Sequence, residues 1–335
     1  MGGDQGPRLV VPAVVESLRR FPRLKCELHG DSAEIERRLG VDGELFRSRL
    51  TIVHADQMVA MADKPSNALR HARQSSLWQA LESLGQGRVD GCVSAGNTGA
   101  LMMMSVKLVG TLEGIERPAI CTSMPTRTGK AYLLDMGANL HCSADQLLQF
   151  AHMATAMVAE VESIPRPRVG LLNVGSEAGK GDAVVQEAAR KFQDDELVNY
   201  CGFVEGNTIF SGDFDIVVCD GFVGNVALKT AEGVAQLIVG MLKSELSDSL
   251  RAKIGALIAR PALINLQSQL DPANYNGAKL LGLKKTVVKS HGGANQAGFL
   301  HAIAVAVREV ENNVPARIAE KLKSFANIGF QPAER

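Results

Sequence analysis

Short apolar runs recur along the 335-residue chain with helical stretches between them, and this alternation restricts the fold more than any other feature. The runs cover 24–29, 50–55, 89–94, 119–123, 131–135, 169–174, 215–219 and 286–289. Most are apolar at nearly every position, as in parallel strands covered on both faces. Between them, 66–84, 183–192, 226–242 and 294–310 carry apolar residues at helical spacing; the first follows a Pro-Ser start and aligns Leu69, Ala72, Leu77, Ala80, Leu81 and Leu84. Alternating strand and helix predicts an α/β fold, a mostly parallel sheet with helices on both sides and ligands at the strands' carboxyl ends. With no low-complexity linker and no fixed short repeat, one domain is expected over 1–335.

Four strand-to-helix junctions are rich in glycine and also carry Asn, Lys, Asp or His: SAGNTGALM (94–102), NVGSEAGKGD (173–182), CDGFVGNVALKTAEG (219–233) and KSHGGANQAGF (289–299). Unpaired amides at a helix start, backed by the positive end of the helix dipole, are ready anion sites. All four turns are expected on one carboxyl-end edge of the sheet, framing a cleft for a phosphate-bearing ligand. In the first, Asn97, Thr98 and Gly99 open a helix, and Asn97 offers both donor and acceptor; the plain alternative is a capped turn. LLDMGAN (133–139) ends a strand in Asp135 and then supplies Gly137 and Asn139, although an Asp there often only caps a turn.

In the second junction Gly175, Gly179 and Gly181 surround Lys180, a point charge suited to an oxyanion, against the plain alternative of a solvated surface lysine. Gly181 and Asp182 follow that lysine, so the Walker A pattern is not met and ATP hydrolysis is disfavoured. The third junction sets Asp220 at a strand end and Asn225 at a helix entrance; the fourth sets Lys289, His291 and Asn295 in a comparable position. No GxGxxG with a following acidic partner, HExxH or GxSxG occurs, so neither a dinucleotide cofactor nor a metal is expected.

Acidic and basic residues balance at 36 each, which argues against nucleic acid as a partner, and 46% apolar content fits a globular protein. Six cysteines without CxxC pairing suit a reduced, cytoplasmic setting. The chain has no signal-peptide pattern and no 18-residue apolar run, so it is expected to be soluble or peripheral to a membrane. Residues 243–270 break the strand–helix rhythm. Leu246, Leu250, Ile254, Leu257 and Ile258 form a helical stripe among Lys243, Arg251, Lys253 and Arg260, read either as a helical hairpin packed into a dimer interface or onto its own domain, or as an apolar tip touching a membrane or partner helix.

Taken in order, MGGDQGP (1–7), SAGNTGALM, LEGIERPA (112–119), LLDMGAN, NVGSEAGKGD, CDGFVGNVALKT, NYNGAKLLGL (274–283) and VVKSHGGANQ (287–296) resemble the PlsX-type phosphate acyltransferases of bacterial phospholipid synthesis. The resemblance spans nearly the whole chain. It implies a three-layer α/β/α fold related to phosphate acetyltransferases, and a homodimer with a protruding helical tip at the cytoplasmic membrane face. The implied reaction moves a long acyl chain from acyl carrier protein to inorganic phosphate, and a downstream acyltransferase uses the acyl phosphate. Family members begin with an apolar strand and an Asp just before the MGGD segment. A first strand upstream of residue 1 is therefore expected from the resemblance.

On this footing Lys180 is assigned to the phosphate, with amides of the 175–181 and 97–99 turns. Asn225 and Asn97 orient phosphate or the thioester carbonyl. Asp220 orients a lysine or accepts the phosphate proton, and His291 protonates the leaving thiolate or fixes the acyl carbonyl. Met102, Met103 and Met104 are candidates to line an acyl groove, with ordinary helix core as the plain alternative. Arg251, Lys253 and Arg260, beside Ile254 and Leu257, are candidates to receive the acidic carrier protein or a membrane. Competing readings are a coenzyme A-dependent phosphate acyltransferase, a metal- and NAD-dependent decarboxylating dehydrogenase, and a non-catalytic scaffold for lipid enzymes.

Overall fold

The computed structural model describes residues 2–177 and 179–326. Strands β1 (Cys26–Gly30) and β2 (Leu50–His54) form a small parallel sheet of their own. The remaining strands are β3 (Gly91–Ser94), β4 (Ala119–Thr126), β5 (Gly129–Leu134), β6 (Val169–Leu172), β7 (Tyr200–Val204), β8 (Ile216–Val218), β9 (Ala278–Leu281) and β10 (Thr286–Lys289). They make one sheet in the order β3-β10-β9-β4-β5-β8-β6-β7. The expected α/β fold with a mostly parallel sheet is present, since β3/β10, β5/β8, β8/β6 and β6/β7 are all parallel pairs.

The antiparallel pairs β10/β9, β9/β4 and β4/β5 nevertheless reverse the strand direction three times between β10 and β5. The expectation that all four glycine-rich turns share one edge is therefore corrected. Turns 94–102 and 289–299 leave one edge, and turns 173–182 and 219–233 leave the other. Only Arg127 and Thr128 separate β4 from β5, far too few residues for a parallel crossover, so a hairpin forms there. The second cause is β9, which no apolar run announced.

Register brings the two halves back together. One row of paired residues crosses all eight strands: Val93, Val288, Lys279, Cys121, Leu134, Val218, Leu171 and Phe203. Strands β3 and β10 end one residue beyond this row in one direction, at Ser94 and Lys289. In the other direction β5 and β8 end on it, and β6 ends one residue past it. The turns of both halves therefore spring from nearly the same level along the strands.

Thirteen helices cover the sheets among the described residues: α1 (Pro7–Arg20), α2 (Ser32–Leu39), α3 (Val41–Leu45), α4 (Pro65–His71), α5 (Ser76–Gly85), α6 (Thr98–Leu108), α7 (Ala144–Val161), α8 (Ala183–Asp194), α9 (Gly221–Ser247), α10 (Leu250–Ile258), α11 (Arg260–Leu270), α12 (Gln296–Glu311) and α13 (Val314–Ala326). On one face Phe150, Met153 and Met157 of α7, Phe192 of α8 and Ile318 of α13 pack on Cys121, Leu134, Leu171 and Val218. On the other, Leu81 and Leu84 of α5 and Leu101 and Met104 of α6 pack on Leu133, Val217 and Val287. Each such side chain contributes roughly 1.5–3 kcal/mol by leaving water. Helices α1, α2 and α12 and the small sheet share a third core around Leu18, Leu28, Ile35, Phe299 and Ile303.

The single helix read over 66–84 is in fact two. The Ser75 hydroxyl caps α5 by accepting from Trp78 N at 3.2 Å, and the chain is extended at that residue. Met102 and Met104 are core residues, with Met103 alone partly exposed at 38%. Only Gly221 and Gly224 of the 27-residue α9 are buried; beyond them it runs out with α10 and α11, which expose Leu250, Ile254, Leu257, Ile258, Ile264 and Leu266.

Candidate active site

Helix α9 joins the turns of the two halves. Asp220 caps it, its Oδ1 accepting from Val223 N at 2.8 Å. Its first turn lies hard against the end of β5, because a Cβ on Gly224 would stand 2.0 Å from the Asp135 carbonyl oxygen. Asn225 then faces Gly137, whose φ of +110° belongs to glycine and whose absent Cβ would meet the Asn225 side chain at 3.4–3.6 Å. One turn further along, Lys229 Nζ lies 2.6 Å from His291 Nε2 and 2.8 Å from a Glu232 carboxylate oxygen. Asn225 and Lys229 are four residues apart, so they share a helix face about 6 Å apart along the axis.

The β10–α12 turn is held from several sides. Asn276, just before β9, accepts from His291 N at 2.9 Å and donates its Nδ2 to Ser290 Oγ at 2.8 Å. Gly293 N donates to His291 Nδ1 at 3.1 Å, and Asp4 N donates to the Gly292 carbonyl at 3.3 Å. Asn295 caps α12, with Oδ1 accepting from Gly298 N at 2.9 Å. Lys289 is buried, and its ammonium donates to the Ser290 carbonyl. Loss of hydration, reinforced by Lys229, pulls its pKa from 10.5 to about 8, with Asp4 opposing. The same causes, burial first and then Lys229, lower the His291 pKa, so its ring is neutral at pH 7.

The Lys180 loop is a separate feature of the β6 end. Asn173 draws it shut, donating Nδ2 to the Gly175 carbonyl at 3.1 Å and to the Lys180 carbonyl at 3.0 Å. Gly181, at φ +91°, lies so near Asn173 that a Cβ would come within 2.3 Å of its Oδ1. Gln186 Nε2 donates to the Gly179 carbonyl at 2.7 Å. The Lys180 side chain is exposed, its stem passing over Gly175, and it makes no ion pair among the described residues. Among those residues no hydrogen bond or ion pair joins it to Lys229 or His291.

Two other expected ligand groups are occupied by the fold. Asn97 accepts from Ala100 N at 3.0 Å while its Nδ2 donates to the carbonyls of Ala60, Met61 and Asp63 at 3.2, 3.0 and 2.9 Å. Its neighbour Gly99 packs on Pro65, and Thr98 is half-buried, so this turn offers backbone and not the Asn97 amide. Asn139 donates to the Pro118 carbonyl and to Asp135 Oδ2, both at 2.9 Å. Asp135 itself is fully buried and also accepts from the amides of Ile120, Ala138 and Asn139; burial outweighs these donors and raises its pKa. Sequence reasoning assigned no role to Asp4, Asn173, Lys229, Glu232 or Asn276. Lys229 was findable, as it follows Asn225 at helical i,i+4 spacing within one motif. Asn276 was not, because β9 was unread.

The sheet and these turns define a protein of the phosphotransacetylase fold. A phosphotransacetylase from Streptococcus pyogenes superposes with a TM-score of 0.58 at 17% identity, covering 90% of this chain and 91% of that one. A branched-chain phosphotransacylase from Enterococcus faecalis V583 gives 0.57 at 15%, covering 92% and 96%. The family described as fatty acid synthesis protein matches residues 1–317. Phosphate acyltransferases from Legionella pneumophila (strain Paris) and Cellvibrio japonicus are 47% and 48% identical, over 98% and 96% of this chain and 96% of each relative. The chain belongs to this fatty acid synthesis protein family, and it is an acyltransferase enzyme.

Proposed function

We propose that this chain moves a long-chain fatty acyl group from the thioester of acyl carrier protein to inorganic phosphate, giving an acyl phosphate for bacterial phospholipid synthesis. The strongest support is the identity to phosphate acyltransferases along nearly the whole chain, joined to the exposed side chains of Lys180 and Asn225 in glycine-rich turns. Phosphate is already partly dianionic at neutral pH, and a thiol of pKa about 8.5 leaves readily as thiolate. Little acid–base help is needed. Catalysis lies in holding two anionic partners together and stabilising charge on the carbonyl oxygen.

In this scheme Lys180 and the amides of 175–181 hold phosphate, Asn225 orients the reacting carbonyl or phosphate, and Asp220 fixes the start of α9. His291 faces the acyl carbonyl and the departing sulfur. The protein acts as a homodimer at the cytoplasmic face of the membrane and hands acyl phosphate to a downstream acyltransferase. No helix among the described residues is long and apolar enough to cross a membrane. Surface contact is instead assigned to Ile254 and Leu257, 53% and 69% exposed, with Arg251, Lys253 and Arg260 exposed around them.

The test mixes the protein with palmitoyl-acyl carrier protein, with and without inorganic phosphate, and measures acyl phosphate by mass spectrometry. Phosphate-dependent product is the expected result. Product from palmitoyl-coenzyme A but not from the carrier protein would overturn the donor assignment, and no product from either would overturn the reaction.

A further inference from the structure

Charge balances over the whole chain but not over the excursion between β2 and α5. Gln57 and Ser75 are bridged, and Ser76 N donates to the Gln57 carbonyl at 3.0 Å, so residues 57–76 leave and return as one closed loop. Within it Lys64, Arg70, His71 and Arg73 stand against a single carboxylate, Asp63, and no further acidic residue occurs before Glu82. Asp63 bonds within the loop, its Oδ2 accepting from Ala60 N at 2.7 Å. Lys64, Arg70 and Arg73 are exposed, and none has an acidic partner among the described residues. Arg73 is seated over the ring of the buried Trp78, 5.8 Å from its centroid. Arg70 complements the carboxyl end of α4, as basic residues in a last turn do, but Lys64 precedes that helix and Arg73 follows it. Met58 and Met61 add exposed apolar surface, at 56% and 45%. Methionine and arginine are both enriched where proteins meet.

This loop reaches the candidate site. Met61 Cε lies against the His291 turn, where a Cβ on Gly292 would come within 3.2 Å of it. The carbonyls of Ala60, Met61 and Asp63 accept from the Asn97 amide, and Pro65 packs on Gly99, so the loop is fixed to the start of α6. Three residues of chain, at most about 11 Å, separate Met61 from Lys64. Arg70 lies about 9 Å further along the helix. A carrier protein presents its thioester at the end of a flexible prosthetic arm, so its own surface must dock beside the cleft and outside it. We propose that the acidic acyl carrier protein docks on this loop, with Lys64, Arg70 and Arg73 facing its carboxylates and Met61 on the path to His291. This rests on the donor assigned in the function proposed above. It also separates two surfaces, leaving α10 to the membrane.

The test titrates fluorescently labelled holo-acyl carrier protein with the full chain and reads anisotropy, without turnover. Wild type should bind, with affinity falling as salt rises. Lys64→Glu combined with Arg70→Glu should raise Kd about tenfold or more, with the fold retained in thermal melting. Arg70→Gln, which places no carboxylate at the helix end, should raise Kd about threefold and serves if the double variant does not fold. In the acyl phosphate assay the double variant should raise the KM of palmitoyl-acyl carrier protein by a like factor and leave the KM of phosphate unchanged. No binding by wild type, or an unchanged Kd in both variants, would overturn the proposal. Loss of affinity in Arg251→Glu with Lys253→Glu instead would move docking to the outer helices, against it. Loss of anionic-vesicle binding in the double variant with carrier affinity intact would make the loop a lipid contact, again against it. Wild-type protein that makes no acyl phosphate from either donor would remove the reaction itself, while the titration would still decide whether the carrier protein docks here.

Discussion

Gly224 and the Asp135 carbonyl are in closer apposition than any side chain permits: a Cβ at Gly224 would sit 2.0 Å from that oxygen, 2.7 Å from Met136 Cε and 2.8 Å from Cys219 Sγ. Backbone and buried groups surround the position, so the conflict cannot be relieved by rotating a surface side chain. Gly224→Ala is expected to destabilise the fold by about 1–3 kcal/mol and to shift α9, moving Asn225 and Lys229 together. Urea unfolding and turnover on the same variant check both effects. Wild-type stability with wild-type turnover would mean that α9 does not need this contact.

Lys180 is exposed and free of ion pairs among the described residues, so removing its charge should not cost stability. Lys180→Ala is expected to lose about 100- to 1000-fold in turnover with an unchanged melting temperature. A variant within twofold of wild type would take Lys180 out of the reaction.

Gly181→Ala tests the loop and not the charge. Its φ of +91° and the 2.3 Å approach to Asn173 Oδ1 both resist a methyl group. The loop should open, lowering kcat/KM while leaving the cores intact. Near-native kcat/KM would show that the closed loop is not needed.

Lys289 should make stability depend on alkaline pH in a defined direction. Its pKa is about 8 in the folded protein against an ordinary 10.5. Between those values the unfolded chain keeps the proton that the native chain has released, so this group makes stability rise with pH, and its full cost is present below about 8. Lys289→Met is therefore expected to be more stable than wild type by roughly 1–2 kcal/mol at neutral pH, with the difference shrinking as pH approaches 10. Paired urea titrations across that range measure it. A difference constant with pH would place the Lys289 proton elsewhere.

The outer helices invite a separate test. With Ile254 and Leu257 both changed to Asp, sedimentation with anionic vesicles should fall, while turnover with soluble donor should hold. Equal sedimentation would free these residues from any membrane role.

The apolar runs and glycine-rich turns made the fold class legible because covered parallel strands show as uninterrupted apolar segments. Strand β9 stayed hidden: AKLL places Lys279 inside the sheet, where Glu309 at 2.7 Å keeps its charge paired, and single-sequence hydropathy reads such a residue as surface. Missing β9 also hid the reversal of direction, which no local pattern encodes. The site was legible as a set of turns but not as a set of side chains. Asn97 and Asn225 look alike in sequence, each a few residues into a glycine-rich turn. Yet three carbonyls from 60–63 occupy the amide of Asn97, whereas Asn225 remains exposed. That distinction arises from chain segments distant in sequence.

The position of β9 and β10 between β3 and β4 sets the order in which the molecule is completed. Strands β3 and β4 are consecutive in the chain, but β4 pairs with β9 and β3 with β10, and both arrive more than 150 residues later. Until residues 278–289 dock, an apolar strand on each side of the gap has an open edge, the state most exposed to pairing with other chains. That segment ends in Lys289, and His291 follows two residues on, so an emerging chain sets these two groups beside Lys229 only when its sheet closes.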